Sequence, residues 1–197
     1  MRYNKNMTTV YFVRHCKPDR DWQDDRSRPL TEEGMADSLK VMEILKDKKI
    51  DAFISSPYKR SYDTIRAAAD FYGKQIETDE CLRERKSGMS GNFDREIFKK
   101  RWLDFSFAEE DGEPIGAVQK RNMEALSEIL KKYEGKNIAI GTHGTALSSI
   151  INYYEPTFNG DNFLEIIDFM PWVLKMEFDG TKFISRQTVF RIKKDFK

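Results

Sequence analysis

Three short apolar runs limit how this chain can fold: Val10-Tyr11-Phe12-Val13, Asp51-Ala52-Phe53-Ile54, and Ile138-Ala139-Ile140-Gly141 after Asn137. Each is too short for a helix, and its apolar residues are consecutive rather than alternating. A strand with no polar face is covered on both sides, the condition of a parallel sheet flanked by helices. The segments between the runs have helical spacing. Thr31 is placed as an N-cap with Glu32 and Glu33 in the first turn, followed by Met35, Leu39, Met42 and Leu45. Ser56 is placed as the cap of a second helix, with Pro57 at its first position and Tyr58, Tyr62, Ile65 and Ala69 as its apolar stripe. Pro114 opens a longer helix whose Val118, Asn122, Leu126, Ile129 and Tyr133 share one face, and Thr145–Tyr153 makes another.

The remaining segments are less regular. Residues 17–30 form a long polar loop, Gln75–Thr78 a weak strand, and 79–112 an irregular charged stretch with a helix near Asp94–Phe105. The tail changes period: Trp172, Leu174, Met176 and Phe178 alternate with Val173, Lys175 and Glu177, and Asp179-Gly180 turns into Lys182–Val189. These elements predict an α/β fold, a three-layer αβα sandwich with a mainly parallel sheet and antiparallel C-terminal edge strands. Its 197 residues are enough for one domain with a full core, so 1–197 is read as a single domain.

Lysine and arginine total 34 against 33 acidic residues, a net charge of +1. That balance argues against a general nucleic-acid or membrane-surface binder. The first residues, MRYNKNMTT, carry no apolar signal, and no run reaches membrane length. Cys16 and Cys81 make neither a metal spacing nor a disulfide framework. The expectation is a cytoplasmic chain without metal or cofactor.

The chain has two histidines, and each closes an apolar run: His15 in Arg14-His15-Cys16, and His143 before Gly144. In open α/β sheets ligands bind beyond the carboxyl ends of the strands, where His15, Ser55 and His143 fall. A neutral imidazole is a nucleophile near neutral pH, and neighbouring cations disfavour its protonated form. Its second nitrogen needs an acceptor such as a backbone carbonyl. Arg14 offers a planar fork matched to phosphate oxygens. Arg60 stands in the first turn of a helix, where a cation opposes the dipole unless an anion compensates. Glu84, in Leu82-Arg83-Glu84-Arg85-Lys86, is a carboxylic acid able to protonate a leaving alkoxide. His143 is a donor to a phosphoryl group in transfer, and Gly144 permits close backbone approach. Taken singly, each has a plainer reading: a loop-capping histidine, a surface ion pair, a solvated arginine, an exposed glutamate among basic residues.

Together these residues resemble the histidine phosphatase superfamily, also called the phosphoglycerate mutase-like family. The Arg-His-Gly that follows its first strand corresponds to Arg14-His15-Cys16, with cysteine in place of glycine. Pro29-Leu30-Thr31-Glu32-Glu33-Gly34 matches its Pro-Leu-Thr-x-x-Gly, and Ser55 to Arg60 its Ser-Ser-Pro-x-x-Arg, with Thr64 after it. Leu82, Glu84 and Gly88 match Leu-x-Glu-x-x-x-Gly, and His143-Gly144 the closing His-Gly. The resemblance implies a phosphorylated nucleophile at His15, phosphate-holding groups at Arg14, Arg60 and His143, and a general acid and then base at Glu84. Lys17, Gly144 and Thr145 are the expected substrate contacts, and no metal is implied.

The implied activity is hydrolysis of a small phosphorylated metabolite, a phosphomonoester, through a phosphohistidine on His15. The alternative is a 2,3-bisphosphoglycerate-dependent phosphoglycerate mutase, and the third reading is a non-catalytic binder of phosphorylated ligands. The family's mutases carry a longer insertion between general acid and second histidine, and the compact stretch here favours the phosphatase. Three further expectations concern the surroundings. Cys16 beside Lys17 is either a small residue standing in for glycine or a redox-sensitive thiolate. Arg83, Arg85 and Lys86 are candidates for binding a second acidic group. Trp22, Trp102, Phe105 and Phe107 are either an aromatic wall over the substrate or core beneath a long loop.

Overall fold

A computed structural model describes residues 7–88 and 94–195. The start of the polar N-terminal tail and positions 89–93 of the irregular stretch lie outside the described residues. The strands are β1 (Met7–Arg14), β2 (Ala52–Ser55), β3 (Ile76–Thr78), β4 (Asn137–Thr142), β5 (Phe169–Asp179) and β6 (Lys182–Lys193). The helices are α1 (Glu32–Leu45), α2 (Lys59–Phe71), α3 (Arg95–Leu103), α4 (Ile115–Lys132), α5 (Gly144–Tyr154) and α6 (Gly160–Ile166). All the strands join one sheet in the order β3-β2-β4-β1-β5-β6. β3, β2, β4 and β1 pair in parallel, while β5 and β6 are added antiparallel beyond β1.

The consecutive apolar residues of β1 are explained by the layers. Val10 and Phe12 face a core with Leu126, Leu130, Leu147 and Ile150 of α4 and α5. Tyr11 and Val13 face the opposite core, with Val41 and Leu45 of α1 and Ile65 and Ala69 of α2. Side chains alternate across a strand, so covering both faces requires apolar residues at every position. A third cluster of Phe98, Trp102, Ile115 and Phe163 packs α3 against α6.

Several local expectations are corrected. Met35 and Leu39 are 48% and 54% exposed, and α1 instead buries Gly34, Asp37, Ser38, Val41 and Leu45. The reason is close approach and charge pairing. A Cβ on Gly34 would stand 2.3 Å from the Lys17 carbonyl oxygen, so only glycine fits there. Asp37 is buried because Lys194, from the end of the chain, pairs with it. Ser56 does not cap α2: Tyr58 is the capping residue, with no side-chain bond, and Pro57 precedes the helix. Pro114 caps α4 rather than starting it. The hairpin runs on to Lys193, and both α6 and a single 3-10 turn at Glu80–Leu82 arise where the sequence carries no clear period.

Candidate active site

The register of the central strands assembles the site. Arg14 pairs with Thr142 across β1 and β4, and Ser55 with Gly141 across β2 and β4. The ladder continues one step further, with His15 N–H donating to Thr142 O (3.1 Å) and Ser56 N–H to Gly141 O (3.1 Å). Three adjacent parallel strands therefore deliver His15, His143 and Ser56 side by side at their carboxyl ends.

His15 is 7% exposed, and its Nδ1 lies 2.8 Å from the Cys16 carbonyl oxygen. A carbonyl only accepts, so Nδ1 carries the proton and Nε2 of the neutral ring is left with its lone pair. Burial, then the guanidiniums of Arg60 and Arg14, push the pKa of His15 well below the ordinary imidazole value. His143 is fully buried, its ring edge-on to that of His15 with centroids 5.3 Å apart. Its Nε2 is 2.8 Å from Ser56 Oγ, the contact that draws Ser56 away from a capping role. Tyr58 packs on the same ring at 5.3 Å. Burial, then Arg60 and His15, push the pKa of His143 down as well.

Arg14 is buried, its Nη1 and Nη2 donating to the Ile166 and Ile167 carbonyls at the end of α6 (2.8 and 2.9 Å). Burial lowers its pKa to about 10, which leaves it charged at neutral pH. Arg60 donates from Nη1 to the Asp25 carbonyl (2.6 Å), approaches the Asp25 carboxylate at 3.1 Å, and lies 5.0 Å from the Tyr58 ring centroid. Glu84 closes the group. Its Oε1 accepts from Arg85 N–H (2.7 Å) and Ala146 N–H (3.2 Å), and its Oε2 from Thr145 N–H (3.0 Å). The carboxyl group thus caps the start of α5, whose first N–H groups have no partner within the helix.

The structure brings His15, Arg14, Arg60, Glu84 and His143 together, and gives the three expected substrate contacts other partners. Lys17 is ion-paired with Glu33 at 2.8 Å. Thr145 holds Glu84 through its N–H. Gly144 packs on Arg14: a Cβ there would meet Nη2 at 3.3 Å. Cys16 is completely buried in the core under α1 and its φ is not positive, so the cysteine fits without backbone strain. Burial pushes its thiol up to about 12, contrary to the thiolate reading. Arg83 and Arg85 are ion-paired with Glu113 and Glu109. Trp102 and Phe105 belong to the α3–α6 cluster, the core reading, while Trp22 is exposed.

Two contributors went unrecognised in the sequence. Ser56 reads as a helix start, and Asp25 lies among the polar residues of the loop with nothing to distinguish it. Two polar atoms in the site have no protein partner among the described residues, the Arg14 Nε N–H and the His143 ring nitrogen Nδ1. An unpartnered buried guanidinium N–H, beside a free imidazole nitrogen and the Arg60 guanidinium, suits an anion with several oxygens. Among the described residues no three His, Cys, Asp or Glu side chains gather as metal ligands would.

The family model of the histidine phosphatase superfamily (branch 1) matches residues 10–181. The chain belongs to the histidine phosphatase superfamily. Within it, the chain is 29% identical over 167 residues to the "Probable phosphoglycerate mutase GpmB" of Enterobacter sp. (strain 638), covering 74% of each. It is 26% identical over 149 residues to the "Uncharacterized phosphatase PhoE" of Bacillus subtilis, covering 74% of this chain and 76% of the relative. A phosphoserine phosphatase from Entamoeba histolytica, solved with 3-phosphoglyceric acid, superposes with a TM-score of 0.74 at 18% identity, covering 95% of this chain and 98% of that one. This histidine phosphatase fold is therefore α/β with a mainly parallel sheet, as the apolar runs imply. Among the described residues no helix is long and apolar enough to cross a membrane.

Proposed function

We propose that this histidine phosphatase hydrolyses a small phosphomonoester through a phosphohistidine on His15, with no metal. The observation that carries the reading is the hydrogen bond from His15 Nδ1 to the Cys16 carbonyl (2.8 Å), which frees Nε2 among buried cations. The Nε2 lone pair forms the N–P bond as the P–O ester bond breaks. The leaving alkoxide takes a proton from Glu84. Oε2, with one donor against two on Oε1, is the oxygen with room to carry it. Arg14, Arg60 and His143 stabilise the charge on the equatorial oxygens. In the second step the Glu84 carboxylate takes a proton from water, whose oxygen attacks phosphorus while the N–P bond returns its electron pair to Nε2.

Hydrolysis across a phosphometabolite panel, run beside His15→Ala, tests this. Wild type should hydrolyse at least one alkyl phosphomonoester and form an acid-labile phosphoenzyme, and His15→Ala should lose about 10³-fold or more. Full hydrolysis by His15→Ala would exclude His15 as the nucleophile. The likeness to a protein named as a mutase keeps one competing reading. Interconversion of 3-phosphoglycerate dependent on 2,3-bisphosphoglycerate, faster than hydrolysis, would replace the phosphatase with that mutase. No turnover of any ester, p-nitrophenyl phosphate included, would leave a phospho-ligand binding protein.

A further inference from the structure

Arg121, on α4, divides its donors between the segment that carries Glu84 and the carboxylate of Glu113. Nη1 donates to the carbonyls of Cys81 (2.7 Å) and Arg83 (2.6 Å), and Nη2 to that of Glu84 itself (3.1 Å). Nε and Nη2 fork onto the two oxygens of Glu113 at 2.8 and 2.9 Å. A guanidinium has five N–H groups, and all five are engaged. Glu113 is in turn fixed by Arg83 (2.8 and 3.2 Å) and by Lys86 N–H (3.2 Å). Burial works against the charge on Glu113, yet Arg121 and Arg83 hold its carboxyl down at about 2.

The segment needs such a clamp. β3 ends at Thr78, and the only regular structure between there and Gly88 is the turn at Glu80–Leu82. No strand ladder holds the backbone at Glu84. Its carboxylate must still meet the N–H groups of Thr145 and Ala146 at the start of α5, just past His143.

We infer that Arg121, oriented by Glu113, is the positioning residue for Glu84, setting the acid's backbone so that its carboxyl reaches the leaving oxygen. The inference rests on Glu84 being the general acid. Looser placement then weakens protonation of the leaving group and leaves phosphate binding by Arg14, Arg60 and His143 in place. The defect is selective: an alkoxide needs the proton, whereas p-nitrophenolate departs largely without it.

The test compares Arg121→Gln, Glu113→Gln and Glu84→Gln by one ratio. That ratio is kcat/KM for the alkyl phosphomonoester best hydrolysed by wild type, divided by kcat/KM for p-nitrophenyl phosphate. A change in the folded fraction cancels in it. General acid catalysis contributes about 10²–10⁴-fold, so Glu84→Gln should lower the ratio about 100-fold and Arg121→Gln about tenfold. Glu113→Gln should move it in the same direction by less, and decides the matter should Arg121→Gln fail to fold. A wild-type ratio in both clamp variants, with only the melting temperature lowered, overturns the inference while a shifted Glu84→Gln leaves the acid assignment standing. An unchanged ratio in Glu84→Gln overturns that assignment and the clamp with it.

Discussion

At the scale of single residues, the carbonyl of Cys16 orients the His15 ring and its thiol fills the core. The carbonyl holds His15 in one tautomer, while the backbone N–H donates to Thr64 Oγ1 at 2.9 Å. The sulfur points into apolar core, where a thiolate is disfavoured. Native protein should accordingly keep full activity after mild peroxide, and maleimide should label half-buried Cys81 before Cys16. Mass-spectrometric mapping of the label checks this, and rapid labelling of Cys16 in the folded state would reverse it. Position 16 also separates what motif spacing conveys from what it conceals. The Arg-His pair marks the proposed nucleophile, while the reason cysteine is tolerated next to it lies in a φ and a packing environment that only the fold supplies.

At the scale of elements, the polar loop between β1 and α1 does more than connect. Asp25 accepts from Arg60 and also pairs with Arg28 at 2.7 Å, so its carboxylate bridges two guanidiniums beside the histidines. Arg26 pairs with Glu80, and Lys59 N–H donates to the Arg26 carbonyl (2.9 Å), which ties the loop across the start of α2. Asp25 therefore competes with an incoming phosphate for Arg60. A half-exposed ion pair is worth about 0.5–1 kcal/mol, so Asp25→Asn should tighten competitive inhibition by inorganic phosphate about two- to fivefold. Weaker inhibition would mean that the carboxylate instead orients Arg60 for the ligand. The loop's polarity was evident in the sequence. Its contact with Arg60 was not, because 35 positions separate the partners and no periodicity connects them.

At the scale of the whole molecule, burying two histidines among arginines couples the site to stability. Both rings have depressed pKa values in the folded state. Above the unfolded value of about 6.5 both states are neutral and the rings contribute no pH dependence. Below it the unfolded chain binds protons first, so stability falls as pH falls, by up to about 1.4 kcal/mol per pH unit for each ring. Urea midpoints measured between pH 6.5 and 5.5 should drop in wild type and flatten in a His15→Asn, His143→Asn double variant. The window matters, because the depressed carboxyls of Glu33 and Glu113 add their own loss as pH falls through the carboxylate range. An unchanged slope in the double variant would assign the pH dependence to other groups.

Layering and motif order were readable along the chain because both are local properties. A strand covered on two faces needs consecutive apolar residues, a helix needs its period, and His15 and His143 each follow directly on a strand end. The Met35–Leu39 stripe misled because close approach at Gly34 and a lysine from the far terminus outweighed apolar periodicity. Tertiary structure alone decided which nitrogen of His15 is free, that Ser56 serves His143, that Asp25 engages Arg60, and that Arg121 gathers the carbonyls around Glu84. Each is a directional hydrogen bond or ion pair between segments distant in sequence, or a tautomer fixed by backbone geometry. Such bonds depend on relative position to within a few tenths of an ångström, which the packed sheet and helices set.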